Sequence, residues 1–182
     1  MRLFIALVFE QSMEKLIGLI HQVKQNSTKG SFTRQENLHV TLAFLGETNA
    51  EKIDLIKACM DTSCLSDPLI LTVKGIDRFH SVTGDLVFAS VNPSKDLLDL
   101  QICLESELRK SGFPLEQRTF RPHITLGRNV VFSESFDKAK TKMEFEELNE
   151  RIEKLVLMKS ERIGGKLTYT PVYEAKLRDM TA

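Results

Sequence analysis

The chain has 182 residues, and 25 Lys and Arg balance 25 Asp and Glu, so its formal net charge is zero. That balance excludes a broad basic surface for duplex DNA, while a small basic cleft stays open. A hydrophobic content of 42% suits one domain over residues 1–182, built as two small lobes that pack as a unit.

The opening run, Met1 to Phe9, carries one positive charge and is too short to span a bilayer. The residues Glu10-Gln11-Ser12 after it offer no small-residue cleavage site. It reads as a buried central strand. Met13, Leu16, Ile17, Ile20 and Val23 then mark one face of a helix, with His21 toward solvent. The polar stretch Asn26 to Gly30 breaks the helix, and residues 31–33 read as a short strand. Asn37 to Gly46 alternates apolar and polar positions, as a strand with one wet face does. Thr48 stands three residues before Glu51, a capping-box pattern for a second helix with Ile53, Ile56 and Met60 on its apolar face. Ser66-Asp67-Pro68 is a turn.

Leu69 to Ile76 and Leu86 to Val91 read as two strands, joined by a loop that holds His80 and Gly84-Asp85. Ser94 caps a long helix with Leu97, Leu100, Gln101, Leu104 and Leu108 on its inner face, and Gly112 ends it. A second alternating strand starts near His123. Ser133 to Met143 has weak helical spacing. Ile152 to Ser160 and Leu167 to Leu177 form a last pair of strands around Gly164-Gly165. Hairpins in the middle and at the end predict an α+β fold of mostly antiparallel sheets with helices outside. Cys59, Cys64 and Cys103 are odd in number and lack metal-ligand spacing, which fits idle thiols in a cytoplasmic chain.

Two stretches repeat one pattern. His39-Val40-Thr41-Leu42 returns as His123-Ile124-Thr125-Leu126. Strand alternation puts His39 and Thr41 on one face and Val40 and Leu42 on the other, and likewise His123 and Thr125 against Ile124 and Leu126. Nearly half the chain lies between the copies, which suits one copy per lobe of a pseudo-symmetric body. Histidine titrates near neutral pH, so one ring can act as a base while another acts as an acid. Two opposed histidines move a proton onto one side of a phosphorus and off the other. Thr41 and Thr125 can donate hydrogen bonds to non-bridging phosphate oxygens. Arg128, three residues past Thr125, can neutralise phosphate charge with a forked contact. A zinc site would need a third ligand at a clear spacing, a serine triad would need a nucleophile elbow, and triphosphate chemistry would need a Gly-rich loop. None of these is evident.

The paired motifs resemble the signatures of the 2H phosphoesterase superfamily, and within it the RNA 2′,3′-cyclic phosphodiesterases, also called 2′-5′ RNA ligases. The resemblance covers nearly the whole chain. It includes Met1 to Ala6, Glu36-Asn37-Leu38, Phe44-Leu45-Gly46, Phe120-Arg121-Pro122, Arg128, Ser160-Glu161-Arg162 and Tyr169. The chain departs from it ahead of the first motif, with Ser31 and Phe32 where a basic residue and Trp are frequent, and at Phe88 where Trp is usual; these places bear on base stacking. The resemblance implies a two-lobed α+β body with an active-site cleft between the lobes, and hydrolysis of a 2′,3′-cyclic phosphate at an RNA 3′ end to a 2′-phosphate, or joining of ends through a 2′-5′ linkage. It implies His39 and His123 as the catalytic pair, with His39 as acid and His123 as base for a working assignment, and Thr41, Thr125 and Arg128 on the substrate. No metal and no cofactor are expected. The expected partner is RNA with a cyclic phosphate end or a small cyclic nucleotide, met by a cytoplasmic monomer with no membrane contact. The alternative from another class is a module that binds nucleotides or RNA ends without useful turnover.

Overall fold

A computed structural model of the chain describes residues 1–64 and 67–178. Ser66, the first residue of the expected Ser-Asp-Pro turn, lies outside the described residues. In chain order the elements are β1 (Arg2–Val8), α1 (Met13–Gln25), β2 (Ser27–Phe32), β3 (His39–Glu47), α2 (Ile53–Ser63), β4 (Leu69–Phe79) and β5 (Asp85–Val91), followed by α3 (Lys95–Lys110), β6 (His123–Phe132), α4 (Phe136–Lys142), β7 (Leu148–Ile152), β8 (Lys154–Ile163) and β9 (Lys166–Lys176). This is an α+β fold in which every strand pairing is antiparallel.

The strands run in the order β7-β4-β5-β6-β3-β1-β8-β9, with β2 also paired to β6. The sequence predicted separate sheets. Instead the described residues form one nine-stranded sheet that is nearly cut in two, because β3 and β6 share a single register pair, Val40 with Ile124. Beyond that pair β2 takes the place of β3 beside β6, through Phe32 opposite Gly127. The two halves of the sheet are the two lobes. Each brings one His-x-Thr strand to the seam.

β1 is the buried central strand of its lobe, between β3 and β8. Its residues Leu3 to Leu7 are buried without a break, since both faces are covered. Leu3, Ile5 and Leu7 join the main core, while Phe4 and Ala6 pack with Val156 and Met158 under Tyr169 on the opposite face. Burial of a whole leucine or phenylalanine side chain stabilises by about 1.5–3 kcal/mol, so this strand anchors the lobe.

Several local expectations need correction. The strand expected at 31–33 starts at Ser27, because β6 supplies a partner from Phe132 onward. The Thr48–Glu51 capping box does not form. A 3-10 turn at Ala50–Lys52 intervenes, and the Thr48 hydroxyl donates to the Gly46 carbonyl instead. The buried stripe of α1 is Leu16, Leu19, Ile20 and Val23, with Ile17 only half-buried. β7 was not foreseen; five residues with alternating burial add to β4 as an edge strand. Ser94 does cap α3, accepting from the Leu97 N–H at 3.4 Å, and Gly112 does close it with a φ of +83°.

One residue of β7 ties distant elements together. Glu150, 1% exposed, accepts the backbone N–H groups of Glu10, Gln11 and Ser12 at 2.9, 2.9 and 2.8 Å, where the chain leaves β1 and enters α1. Burial alone would push its carboxyl pKa up; the N–H groups of Gln11, Glu10 and Ser12 outweigh this and hold it below the usual range. Glu150→Ala leaves three donors without their acceptor and is expected to cost about 3 kcal/mol in denaturant unfolding. The sign of the pH effect follows from the lowered pKa. The stabilisation is present above the ordinary glutamate pKa and fades as pH falls through the lower folded one. The deficit of Glu150→Gln against wild type should therefore shrink in acid.

Candidate active site

His39 opens β3 and His123 opens β6, so both rings project from the seam. Their immediate surroundings match closely. Nδ1 of His39 lies 2.7 Å from the Asn37 carbonyl, and Nδ1 of His123 lies 2.7 Å from the Arg121 carbonyl. A carbonyl only accepts, so each Nδ1 carries a proton and each neutral ring keeps its lone pair on Nε2. Nε2 of His39 is 3.0 Å from the Thr41 hydroxyl, which donates to it in that tautomer.

Each histidine also rests against two aromatic rings. Phe4 and Tyr169 flank His39 with ring centres at 4.9 and 5.2 Å; Phe88 and Phe79 flank His123 at 5.2 and 5.5 Å. These apolar walls fix the ring planes and remove water. Burial is the main reason that the His39 pKa falls to about 4; the Asn37 carbonyl opposes the fall, and the charges of His123 and Arg128 add to it. The His123 pKa is lowered too, mainly by burial, with the Arg121 carbonyl opposing and Arg128 adding. Both rings are thus poised to be neutral at pH 7 before an anion arrives.

Thr41 and Thr125 line the same cavity as the histidines, one pleat along their strands. Arg128 lines it too, and its route there was not legible from alternation. Plain alternation would put Arg128 on the core face, with Ile124 and Leu126. Two register shifts in β6 prevent this. Against β5, Phe88 pairs with Thr125, Val87 with Gly127 and Asp85 with Val130. One extra residue enters on each side of Gly127. A one-residue shift exchanges the faces of a strand, and a second restores them. Arg128 lies between the changes and is exposed, whereas Val130 returns to the core at 1% exposure. Arg128 is also mid-strand, since β6 runs on to Phe132.

The bulge has its own supports. The Leu126 carbonyl accepts from the Thr33 N–H at 2.9 Å. Asn129 adopts a positive φ of 51°, and Gly84 in the β4–β5 turn presses against its backbone; a Cβ on Gly84 would sit 2.6 Å from the Asn129 carbonyl carbon. β3 has a similar arrangement, in which the Leu42 carbonyl takes a 3.5 Å hydrogen bond from Nε2 of the buried Gln101 on α3.

The cavity over the seam holds about 670 Å³. It brings together all five residues expected from the sequence. It also gathers Phe44, the cations Arg2, Lys159 and Arg162, and the carboxylates Glu47 and Glu161, the last paired with Lys159, so its lining keeps a net positive charge although the chain is neutral. Phe79, which packs on His123, was missed: it ends β4 three residues past the expected strand end at Ile76, and the spacing that would have revealed it lay in the longer hairpin. His21 and His80 lie outside this cavity. His80 donates from Nδ1 to Asp85 at 2.8 Å, beside the Arg78–Asp85 ion pair. Cys59 and Cys64 are buried and Cys103 is exposed; all three are free thiols. Among the described residues no three His, Cys, Asp or Glu side chains stand close enough to hold a metal ion. No helix among them is long and apolar enough to cross a membrane.

The family model of the 2′-5′ RNA ligase superfamily matches residues 11–164, both motifs included. The chain belongs to this superfamily. Among its relatives, the RNA 2′,3′-cyclic phosphodiesterase of Thermotoga maritima is 27% identical over 97% of this chain and 95% of that protein. The enzyme of the same description from Methanocaldococcus jannaschii is 30% identical over 79% of this chain and 80% of its own. In three dimensions this superfamily member is similar to Escherichia coli LigT crystallised with 3′-AMP, with a TM-score of 0.77 and 25% identity over 98% of both chains. The antiparallel α+β body is therefore that of the LigT-like 2H phosphoesterases.

Proposed function

We propose that this chain hydrolyses the 2′,3′-cyclic phosphate at an RNA 3′ end to a 2′-phosphate by two-histidine acid–base catalysis. The observation that carries the reading is the matched pair of rings, each held by a carbonyl on Nδ1 and each presenting Nε2 at one seam. In this mechanism Nε2 of His123 takes a proton from water as the oxygen attacks phosphorus in line with the 3′-oxygen. His39, protonated on Nε2 once the phosphate anion is bound, gives that proton to the departing 3′-oxygen. Thr41, Thr125 and Arg128 bind the non-bridging oxygens and offset the charge that grows there. With an RNA 5′-hydroxyl in place of water, the same steps form a 2′-5′ linkage. The relatives named RNA 2′,3′-cyclic phosphodiesterase support the substrate.

The test is to give the purified chain a short RNA ending in a cyclic phosphate, with and without a chelator, and to identify the product. A 2′-phosphate in both samples is expected. Binding without turnover would favour the alternative of an RNA-end binding module. Loss on chelation, with recovery on adding one divalent metal, would move the chemistry to a metal.

The lowered histidine pKa values set a pH profile. The reaction needs one ring protonated and one neutral. kcat/KM reports the free enzyme, in which His39 titrates near 4 and His123 below its ordinary 6.5. kcat/KM should peak on the acid side of 6.5 and fall about tenfold per pH unit above it. A bound phosphate anion favours protonated rings, so the kcat profile should lie at higher pH. A kcat/KM that stays flat from pH 6 to 8 would count against this acid–base pair.

A further inference from the structure

The two histidines are held alike at Nδ1, but what stands behind their carbonyls differs. Each carbonyl belongs to the residue two places before the ring. Ahead of His123 come Arg121 and Pro122. A proline confines the residue before it to extended backbone, so Pro122 limits how the Arg121 carbonyl can turn. Arg121 itself is exposed.

Ahead of His39 the corresponding residues are Asn37 and Leu38, and a leucine sets no such limit. Asn37 ends a 3-10 turn, Gln35–Asn37, in which its N–H donates to the Arg34 carbonyl at 2.9 Å. A single 3-10 turn is weakly held by its own hydrogen bonds. Asn37 is nevertheless only 7% exposed, because its side chain reaches across to another strand. Nδ2 donates to the Leu167 carbonyl on β9 at 3.0 Å. A carbonyl only accepts, so this bond fixes which way round the amide lies. Oδ1 is buried with no hydrogen-bond partner among the described residues, so the side chain works through its donor alone. Leu167 lies two residues before Tyr169, the wall of His39, on the same strand. One residue thus joins the carbonyl at Nδ1 of His39 to the strand that carries its aromatic wall.

We propose that Asn37 is a positioning residue for His39: its side chain, bonded to β9, holds in place the carbonyl that sets the His39 tautomer, a task that Pro122 performs for His123 through the backbone. The proposal rests on the cyclic-phosphate reading above for its effect on turnover. Once His39 has given up its Nε2 proton, the neutral ring keeps its proton on Nδ1, against the Asn37 carbonyl. If that carbonyl drifts, the ring turns or takes the other tautomer, and Nε2 is no longer aimed at the departing oxygen.

The experiment compares the full chain with Asn37→Ala and Asn37→Asp. The aspartate keeps the shape and sets an oxygen, not a donor, against the Leu167 carbonyl. Long-range proton–nitrogen NMR spectra of the histidine rings, recorded without substrate in mildly alkaline solution, report which ring nitrogen holds the proton. In the wild type both His39 and His123 should carry it on Nδ1. In both variants His39 should become a mixture of tautomers, while the His123 signals stay in place. On a trinucleotide ending in a 2′,3′-cyclic phosphate, kcat per folded molecule should fall roughly 10–100-fold, the scale of a misplaced catalytic group, with KM little changed. A purely structural side chain would change only the fraction folded; wild-type tautomer and wild-type kcat in the folded variants would overturn the proposal. The spectra also separate the proposal from the reading beneath it. If the wild type turns over no cyclic phosphate and the variants still lose the His39 tautomer, the positioning role stands and the hydrolysis reading falls. If the wild type is active and the tautomer survives both changes, hydrolysis stands and the positioning role falls.

Discussion

His39→Ala and His123→Ala should each lower turnover on a cyclic-phosphate RNA by roughly 10²–10⁴-fold, the range that acid–base groups supply. The fold should survive both changes. Each ring is half-buried on the seam, and the neighbouring Val40 and Ile124, fully buried, carry the packing of the strand. What each variant loses structurally is contact with two aromatic rings and the Nδ1 hydrogen bond to a carbonyl, each worth on the order of 1 kcal/mol. Melting temperature and far-ultraviolet dichroism should therefore stay near wild type while turnover collapses. The double variant should be little worse than either single one, because groups that act as a unit do not add. If either single variant kept near-normal turnover, the two-histidine chemistry would be wrong.

The second large effect belongs to Arg128 and to the backbone that aims it. Arg128→Ala removes a cation from the cavity and should cost about 10²–10³-fold in turnover, comparable to loss of one oxyanion donor. Arg128→Lys keeps the charge without the fork and should fall between. Thr41→Val and Thr125→Val keep the branched shape and should cost less. Gly84→Ala supplies the discriminating measurement. Its φ of +129° disfavours any side chain, and the new Cβ would press on Asn129, next to Arg128. Its activity should fall toward that of Arg128→Ala although residue 84 touches no catalytic group. The two changes combined should cost no more than Arg128→Ala alone, after allowing for the fraction folded. Full additivity would mean that the bulge does not act through Arg128.

That the five candidate residues would share one cavity was legible because two of the physical signals were local. The repeated His-x-Thr pattern needs only strand alternation to place four side chains on wet faces. Arg128 was found for its charge and for its place after the motif, but alternation alone would have buried it. Its exposure depends on two inserted residues, which no periodicity of one strand reveals, since a bulge is defined by the partner strand. The same holds for β2 and β7. Ser27 to Phe32 is polar, and it becomes a strand because β6 stands beside it. The aromatic walls of the histidines were half-visible. Tyr169 and Phe88 came with the family resemblance, whereas Phe79 depends on a hairpin longer than its apolar run.

The placing of β1 has a consequence for how the chain is made. β1 and β3 leave the ribosome well before β8, the second neighbour of β1, which begins only at Lys154. Until that stretch emerges, one edge of the most apolar strand in the molecule has no partner, and Phe4 and Ala6 lack their cover of Val156 and Met158. An unpaired apolar edge invites pairing with another chain. The second lobe can close earlier, since β4 to β7 are synthesised in one run. The order of synthesis thus allows one lobe to be complete while the other is still half-open. Tyr169, the wall of His39, arrives still later on β9, so the first histidine gains its aromatic surroundings only after the rest of the sheet has been made.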